Sequence, residues 1–251
     1  MKNNSNKIEK FFNKHGKYLA FTLAEVLITL VIIGIVAAIT VPTLIVSYHQ
    51  EATLTQLKKA YSTIAQTTNR AIADNGPVQG WEIIGGSNTF KGAMDTTERY
   101  LIPYLNILKK CETYNQTDCH FIIYGLNGKE ISNTNKAPFN TSYLFYLNDG
   151  TLIATNVIKA SDRNRIIVTI DVNGKRPPNR MGRDIFRMEY YLGSTGKYAK
   201  YNGKLVPTYV DNTRADLLSN KSDRCNKKQN GDACFSLILK DGWQIKSDYP
   251  W

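Results

Sequence analysis

The sequence predicts an α+β fold: one long N-terminal helix packed on an antiparallel β-sheet. Two patterns carry the prediction. From residue 21 to about residue 75 a continuous apolar run passes into apolar residues spaced three and four apart, the signature of one helical stripe. From residue 121 onward, short apolar runs alternate with Asn-Gly and Asp-Gly dipeptides. These suit type I′ hairpin turns, because both central residues need positive φ. A chain of 251 residues can bury one sizeable core besides the helix.

Residues 1–20 are rich in Asn and Lys and read as processed material rather than fold. Val26 to Val46 is an uncharged run of 21 residues. As a helix it spans about 32 Å, the thickness of a bilayer core. Pro42 lacks an N–H and clashes with the preceding turn, which predicts a kink near the far end. Beyond Ser47 the stripe comprises Leu54, Leu57, Ala60, Tyr61, Ile64, Ala65, Thr68, Ala71 and Ile72. Asp74-Asn75-Gly76-Pro77 then supplies a C-cap and a stop. One helix from about Phe21 to about Ala73 is expected, with residues 21–46 facing lipid or a bundle and residues 47–75 docked on a domain. The alternative is two helices broken near Pro42.

Residues 76–251 read as a β-rich body. Gly80, Gly85-Gly86 and Gly92 punctuate a loop region around Trp81, and a short helix is expected over Asp95–Leu108 despite Pro103. Strand and turn then pair repeatedly: Phe121–Leu126 with Asn127-Gly128, Tyr143–Leu147 with Asn148-Asp149-Gly150, and Arg165–Val172 with Asn173-Gly174. Tyr198–Tyr201 meets Asn202-Gly203, and Phe235–Lys240 meets Asp241-Gly242 before Trp243–Lys246, a final hairpin. Four or more strands follow from this series. Trp243, Tyr249 and Trp251 are read as core packing rather than a ligand platform.

The net charge of +11 is uneven. Five lysines against Glu9 give residues 1–20 a charge of +4, leaving +7 for the remainder. Lys-rich flanks stay cytoplasmic, which places the carboxy-terminal bulk across the membrane. Basic clusters at Lys175–Arg187 and Lys221–Lys228 read as a solvated surface, with nucleic-acid or other anionic-polymer contact as the sharper alternative. All four cysteines fall in the translocated part, as the close pairs Cys111/Cys119 and Cys225/Cys234. Neither spacing is that of a zinc knuckle. In an oxidising compartment two local disulfides are the simplest of three connectivities.

Glu25 is the informative residue of the apolar run. A charge at a helix centre in hydrocarbon costs roughly 2.5–3.5 kcal/mol on insertion scales, so an intramembrane carboxylate marks function. It stands in Lys17-Tyr18-Leu19-Ala20-Phe21-Thr22-Leu23-Ala24-Glu25. Over roughly residues 15–60 the chain resembles the type IV pilins and the pseudopilins of type II secretion. In that family a basic leader is cut just before a Phe that Thr-Leu follows, with a Glu at the fifth mature position. The residue before the cut is usually Gly, and here it is Ala20. The resemblance implies prepilin peptidase cleavage between Ala20 and Phe21 and methylation of the Phe21 amine. It also implies a salt bridge from Glu25 to the amine of a neighbouring subunit. Expected partners are other pilin or pseudopilin subunits, the peptidase, a membrane assembly platform and the bilayer.

A second candidate is the segment from Asp171 to Asp184. Asp171, Asn173 and Asp184 around a glycine turn can offer oxygens to Ca²⁺, a hard cation taking six to eight of them. The spacing is not that of an EF-hand, and four basic residues crowd it, so a hairpin turn leading into a Pro-stiffened loop is the competing expectation. Some pseudopilins hold calcium in a loop. No other cofactor is expected. Beyond the leader the histidines are His49 and His120, and Gly-x-Ser-x-Gly, His-Glu-x-x-His and phosphate-loop motifs are all missing. The chain therefore reads as the substrate of an enzyme rather than an enzyme. The expected function is a pseudopilin or minor pilin in the cell envelope, anchored by a single pass with its body outside the cytoplasm. One rival is an anchored adhesion or binding protein that never polymerises. The other is a secreted protein cut by ordinary signal peptidase after Val36-Ala37-Ala38.

Overall fold

The computed structural model describes residues 21–111, 119, 122–131 and 141–251. The leader with Ala20, as well as His120 and Phe121, lies outside the described residues. The chain divides into two compact units between His49 and Gln50. Helix α1 (Leu23–Asn75) is continuous with Pro42 inside it, so the two-helix alternative is not what forms.

Up to His49, α1 presents exposed side chains almost throughout, among them Leu27, Ile33, Ile39 and Leu44. The serine and threonine hydroxyls of this half are satisfied within the helix: Thr29 donates to the Val26 carbonyl at 2.9 Å, Thr40 to Val36 at 2.9 Å and Ser47 to Thr43 at 3.1 Å. That internal satisfaction is what an apolar surrounding demands of polar groups.

In the second unit the predicted stripe is buried. Leu57, Ala60, Ile64, Thr68 and Ala71 are buried together with Thr67, while Leu54, Tyr61 and Ile72 pack at the margin. The helix ends where its residues require. Gly76, at φ 75°, donates its N–H to the Ile72 carbonyl at 3.0 Å, the left-handed cap that glycine adopts at least cost. Asn75 Nδ2 bonds the Tyr104 hydroxyl at 3.0 Å, and that hydroxyl donates to Asp74 at 2.8 Å.

The sheet is a six-stranded antiparallel meander in the order β1-β2-β3-β4-β5-β6. Its strands are β1 (Ile107–Lys110), β2 (Tyr143–Leu147), β3 (Leu152–Ile158), β4 (Arg165–Asp171), β5 (Ile185–Tyr191) and β6 (Leu205–Pro207). Period-two alternation sorts the two faces. Phe145, Ile153, Val157, Ile166, Val168, Ile170, Phe186, Met188 and Tyr190 join the helix core. Across this interface Tyr190 hydrogen-bonds Thr68 of α1. The opposite face carries a smaller core of Leu144, Leu152, Ala154 and Ile185 with Ile123, Met181, Cys111 and Cys119. Helix α2 (Phe90–Tyr100) is capped by Thr89, whose hydroxyl accepts the Gly92 N–H at 2.9 Å. Gly92 is required there, because a Cβ would run into the Gly86 carbonyl.

Five expectations are corrected. The strand expected at Phe121–Leu126 does not form among the described residues, where Tyr124 makes isolated bridges to Glu130 and Arg180. The helix expected at Asp95–Leu108 forms at Phe90–Tyr100, and Pro103 falls in a separate 3₁₀ turn, Ile102–Tyr104, ahead of β1. Tyr198–Tyr201 lies in the 3₁₀ stretch Gly196–Tyr201, not a strand. The final hairpin does not exist: Phe235–Lys240 belongs to helix α4 (Cys234–Lys240), which packs near α3 (Arg214–Leu218), and Trp243–Lys246 is irregular. Phe235 decides this, packing edge-on against Tyr61, Phe186 and Trp243. Finally, Asn173-Gly174 opens a longer connection, residues 172–184, instead of closing a two-residue hairpin.

Candidate functional site

The start of α1 is built by two residues. Thr22 occupies the N-cap and Glu25 the third helical position, a reciprocal capping box. The Glu25 N–H donates to Thr22 Oγ1 at 3.2 Å. In return, Glu25 Oε2 accepts the Thr22 N–H and hydroxyl, both at 2.8 Å. Oε1 accepts no hydrogen bond among the described residues. Sequence reasoning singled out Glu25 but missed its cap, although Thr-x-x-Glu ahead of an apolar run is its signature. Phe21, 84% exposed, precedes the cap. Glu25 is the one charged side chain between Phe21 and Tyr48. This half of α1 is long and apolar enough to cross a membrane.

The β4–β5 connection brings Asp171, Asn173 and Asp184 together. At its base the Val172 N–H donates to the Asp184 carbonyl at 2.9 Å. Asp184 accepts the backbone N–H groups of Arg180 at 2.6 Å and Asn179 at 2.8 Å, which folds the loop around its carboxylate. Asp171 Oδ1 accepts the Asn173 N–H at 3.2 Å. Burial raises the Asp171 carboxyl well above its usual range, and the nearby Asp184 charge adds to it. Burial likewise pushes Asp184 up to about 6, against several backbone donors and the Asn173 side chain. Asn179, at φ 45°, joins these three; only its place after Pro177-Pro178 hinted at it in sequence.

Both disulfides are local: Cys111–Cys119 and Cys225–Cys234, with Cα atoms 6.1 and 4.6 Å apart. The second fastens the 225–234 loop to the start of α4. Basic residues of both clusters are engaged internally. Arg187 pairs with Asp232 at 3.0 Å, Arg183 stacks over Trp251 at 5.8 Å, and Lys221 and Arg224 both reach Asp216. Tyr249 is buried, its hydroxyl donating to the Gly182 carbonyl at 2.5 Å. A polar cavity of about 640 Å³, lined by Arg163, Arg165, Glu189, Tyr198, Tyr209 and Asp223 among others, was not legible in sequence. Its residues come from β4, β5 and distant loops, and Arg165 is held by Glu189 at 2.7 Å.

A single charged residue on a membrane-length apolar helix, followed by a helix-on-sheet body, defines a pilin-like architecture. The comparisons agree: residues 17–41 match the prokaryotic N-terminal methylation motif, and the chain is a type IV pilin-like prepilin. Through residues 43–251 it belongs to a family of unknown function (DUF6613). No curated protein and no solved structure matches it.

Proposed function

We propose that this chain is a specialised filament subunit, a pseudopilin or minor pilin of a type II secretion or type IV pilus-like machine. Prepilin peptidase cuts between Ala20 and Phe21, and the new amine is methylated. Residues 21–46 then bundle on a membrane assembly platform, with Glu25 of one subunit against the Phe21 amine of another. The observation that carries this reading is the lone carboxylate on an otherwise apolar, exposed helix half. Desolvating a carboxylate or an ammonium costs several kcal/mol each, recovered only by close pairing with an opposite charge. The two disulfides support a body outside the cytoplasm. A mature length of 231 residues, more than a simple major pilin needs, favours a specialised subunit.

The test is the amino-terminal residue and mass of the protein recovered from its native envelope. A chain starting at methylated Phe21 is expected. A start at Met1 overturns the processing and leaves a plain anchor, whereas a start after Ala38 identifies ordinary signal peptidase and removes Glu25 from the mature protein.

A further inference from the structure

We propose that the cleft on the outer face of β4 and β5 binds a sugar acid, a small hydroxyl-rich ligand carrying one anionic group. Strand alternation builds its floor. Phe186, Met188 and Tyr190 face the helix core, so Arg187, Glu189 and Tyr191 point the other way, and Arg165 and Ile167 share their side. The 3₁₀ stretch Gly196–Tyr201 brings Tyr198 and Tyr201 against Tyr191, and Tyr209 and Asp223 line the cleft from loops. The volume of about 640 Å³ is that of a small-molecule site, far more than a bare inorganic anion fills.

One end of the cleft gathers cations that lack carboxylate partners. Arg163 donates from Nη1 to the Tyr198 hydroxyl at 3.0 Å, and its guanidinium carbon lies 4.9 Å from the centre of that ring. Lys197 Nζ lies 4.8 Å from the same ring centre. Neither cation forms an ion pair among the described residues. Tyr198 stacks on Tyr191 at 5.5 Å, and Tyr191 is the cross-strand partner of Arg165. Arg165 gives Nη1 to Glu189 at 2.7 Å, but its Nε, like that of Arg163, is buried without a hydrogen-bond partner. Native proteins leave few such donors unmet. Two unpaired cations and two unmet guanidinium donors around one tyrosine ring call for an anionic group on the ligand.

The rest of the cleft limits the ligand to one such group. Glu189, Asp211 and Asp232 are held by Arg165, Lys200 and Arg187 at 2.7, 2.7 and 3.0 Å, and Asp223 accepts from Tyr209 at 3.0 Å. These carboxylates repel a second phosphate or carboxylate, so a nucleic acid or other polyanion fits poorly. Their spare lone pairs, the tyrosine hydroxyls and the guanidinium N–H groups suit hydroxyls, which donate and accept at once. The aliphatic side chains of the lining are Ile167 and Val210, which give a lipid chain little to bury against. A carboxylate on a ring of hydroxyls, as in a uronic or sialic acid, meets both halves of the site. The cleft shares no residue with the Glu25 cap, so failure of this proposal leaves the filament reading untouched.

The test uses the full chain in detergent and isothermal titration calorimetry with glucuronate and N-acetylneuraminate. Glucose, inorganic phosphate, acetyl-trialanine and an oligothymidylate are the comparison probes. One sugar acid per chain is expected, bound at least about tenfold tighter than any comparison probe. Sialyllactose separates two sources of the ligand: tighter binding than free N-acetylneuraminate supports a glycan end, and equal or weaker binding a free acid. Lys197→Gln, a change at an exposed position, should weaken binding of both sugar acids about tenfold with Tm unchanged. Arg163→Lys keeps the charge but loses the planar fork, and should weaken it by about as much. No binding of either sugar acid, equal binding of glucose, or undiminished binding in both variants would overturn the site. Phosphate, acetyl-trialanine or oligothymidylate binding as tightly as the sugar acids would overturn the ligand class.

Discussion

Replacing Ile64 by Ala tests the division of labour along α1. Ile64 is fully buried between the helix and the inner sheet face. Truncating such a side chain costs about 2–5 kcal/mol, the lost transfer energy plus the cavity left behind. Alanine favours the helix by about half a kcal/mol, which offsets part of this. A net loss of about 2–4 kcal/mol is therefore expected. For a unit of this size that is a Tm drop of about 5–15 °C. Ile35→Ala on the same helix carries the same propensity gain but removes a side chain already 58% exposed. Its Tm should move by no more than a degree or two. The assay is thermal unfolding of both variants in detergent, followed by near-ultraviolet circular dichroism of the aromatic core. Equal shifts in the two variants, or an Ile64→Ala shift below about 2 °C, would refute the assignment of the body's stability to the second half of the helix.

Glu25→Gln keeps an acceptor for the Thr22 N–H but removes the charge, so processed protein should accumulate in the membrane and be depleted at least tenfold from sheared filaments. Thr22→Val removes the cap and keeps the charge; filament incorporation should persist while amide exchange in the first turn of α1 speeds up. The pair Cys225→Ser/Cys234→Ser opens a short loop worth roughly 3 kcal/mol on the chain-entropy model, and calorimetry should show a Tm lower by about 6–12 °C. Asp241 is held below its ordinary pKa, first by the Arg214 bonds at 2.7 and 3.0 Å and also by Lys246. A depressed carboxylate contributes stability that is present above the unfolded value near pH 4 and lost as pH falls through the folded one. Arg214→Met should therefore lower Tm at pH 7 and flatten its fall below pH 4; an unchanged acid limb would count against the pairing.

The sequence revealed most where one period dominated. The α1 stripe was legible from Leu54 to Ile72 because a 3.6-residue spacing over several turns has no competing reading. Its end was legible because Gly76 and Pro77 leave little choice. The run Phe235-Ser-Leu-Ile-Leu-Lys240 was not legible. A short apolar stretch has no decisive period, and its helical state follows from Phe235 meeting residues of α1 and β5 far away in sequence. The strand at Ile185–Tyr191 hid behind its charges. Arg187 and Glu189 alternate with Phe186, Met188 and Tyr190, but both are paired away from open solvent, Arg187 half-buried against Asp232 and Glu189 buried against Arg165, by partners that no local pattern announces. The candidate loop shows the same limit. Asp171, Asn173 and Asp184 were visible as oxygen donors, whereas Asn179 joins them only because the Asp184 carboxylate accepts its N–H.

The first turn of α1 explains how one carboxylate can serve both an isolated subunit and an assembled one. Before assembly its charge needs compensation near the apolar phase, and the cap provides it: two donors from Thr22, at the helix end where the macrodipole favours negative charge. Both bonds fall on Oε2. A carboxylate offers about four lone-pair sites on its two oxygens, so Oε1 remains for an ammonium. Cap and intersubunit pairing thus do not compete: the first orients the group, and the second, as proposed above, neutralises it. The spacing from Thr22 to Glu25 has a reason in helix geometry as well as in the peptidase and methylation motif that the same residues form. Changing either residue perturbs one role at a time, which is why Glu25→Gln and Thr22→Val should part ways.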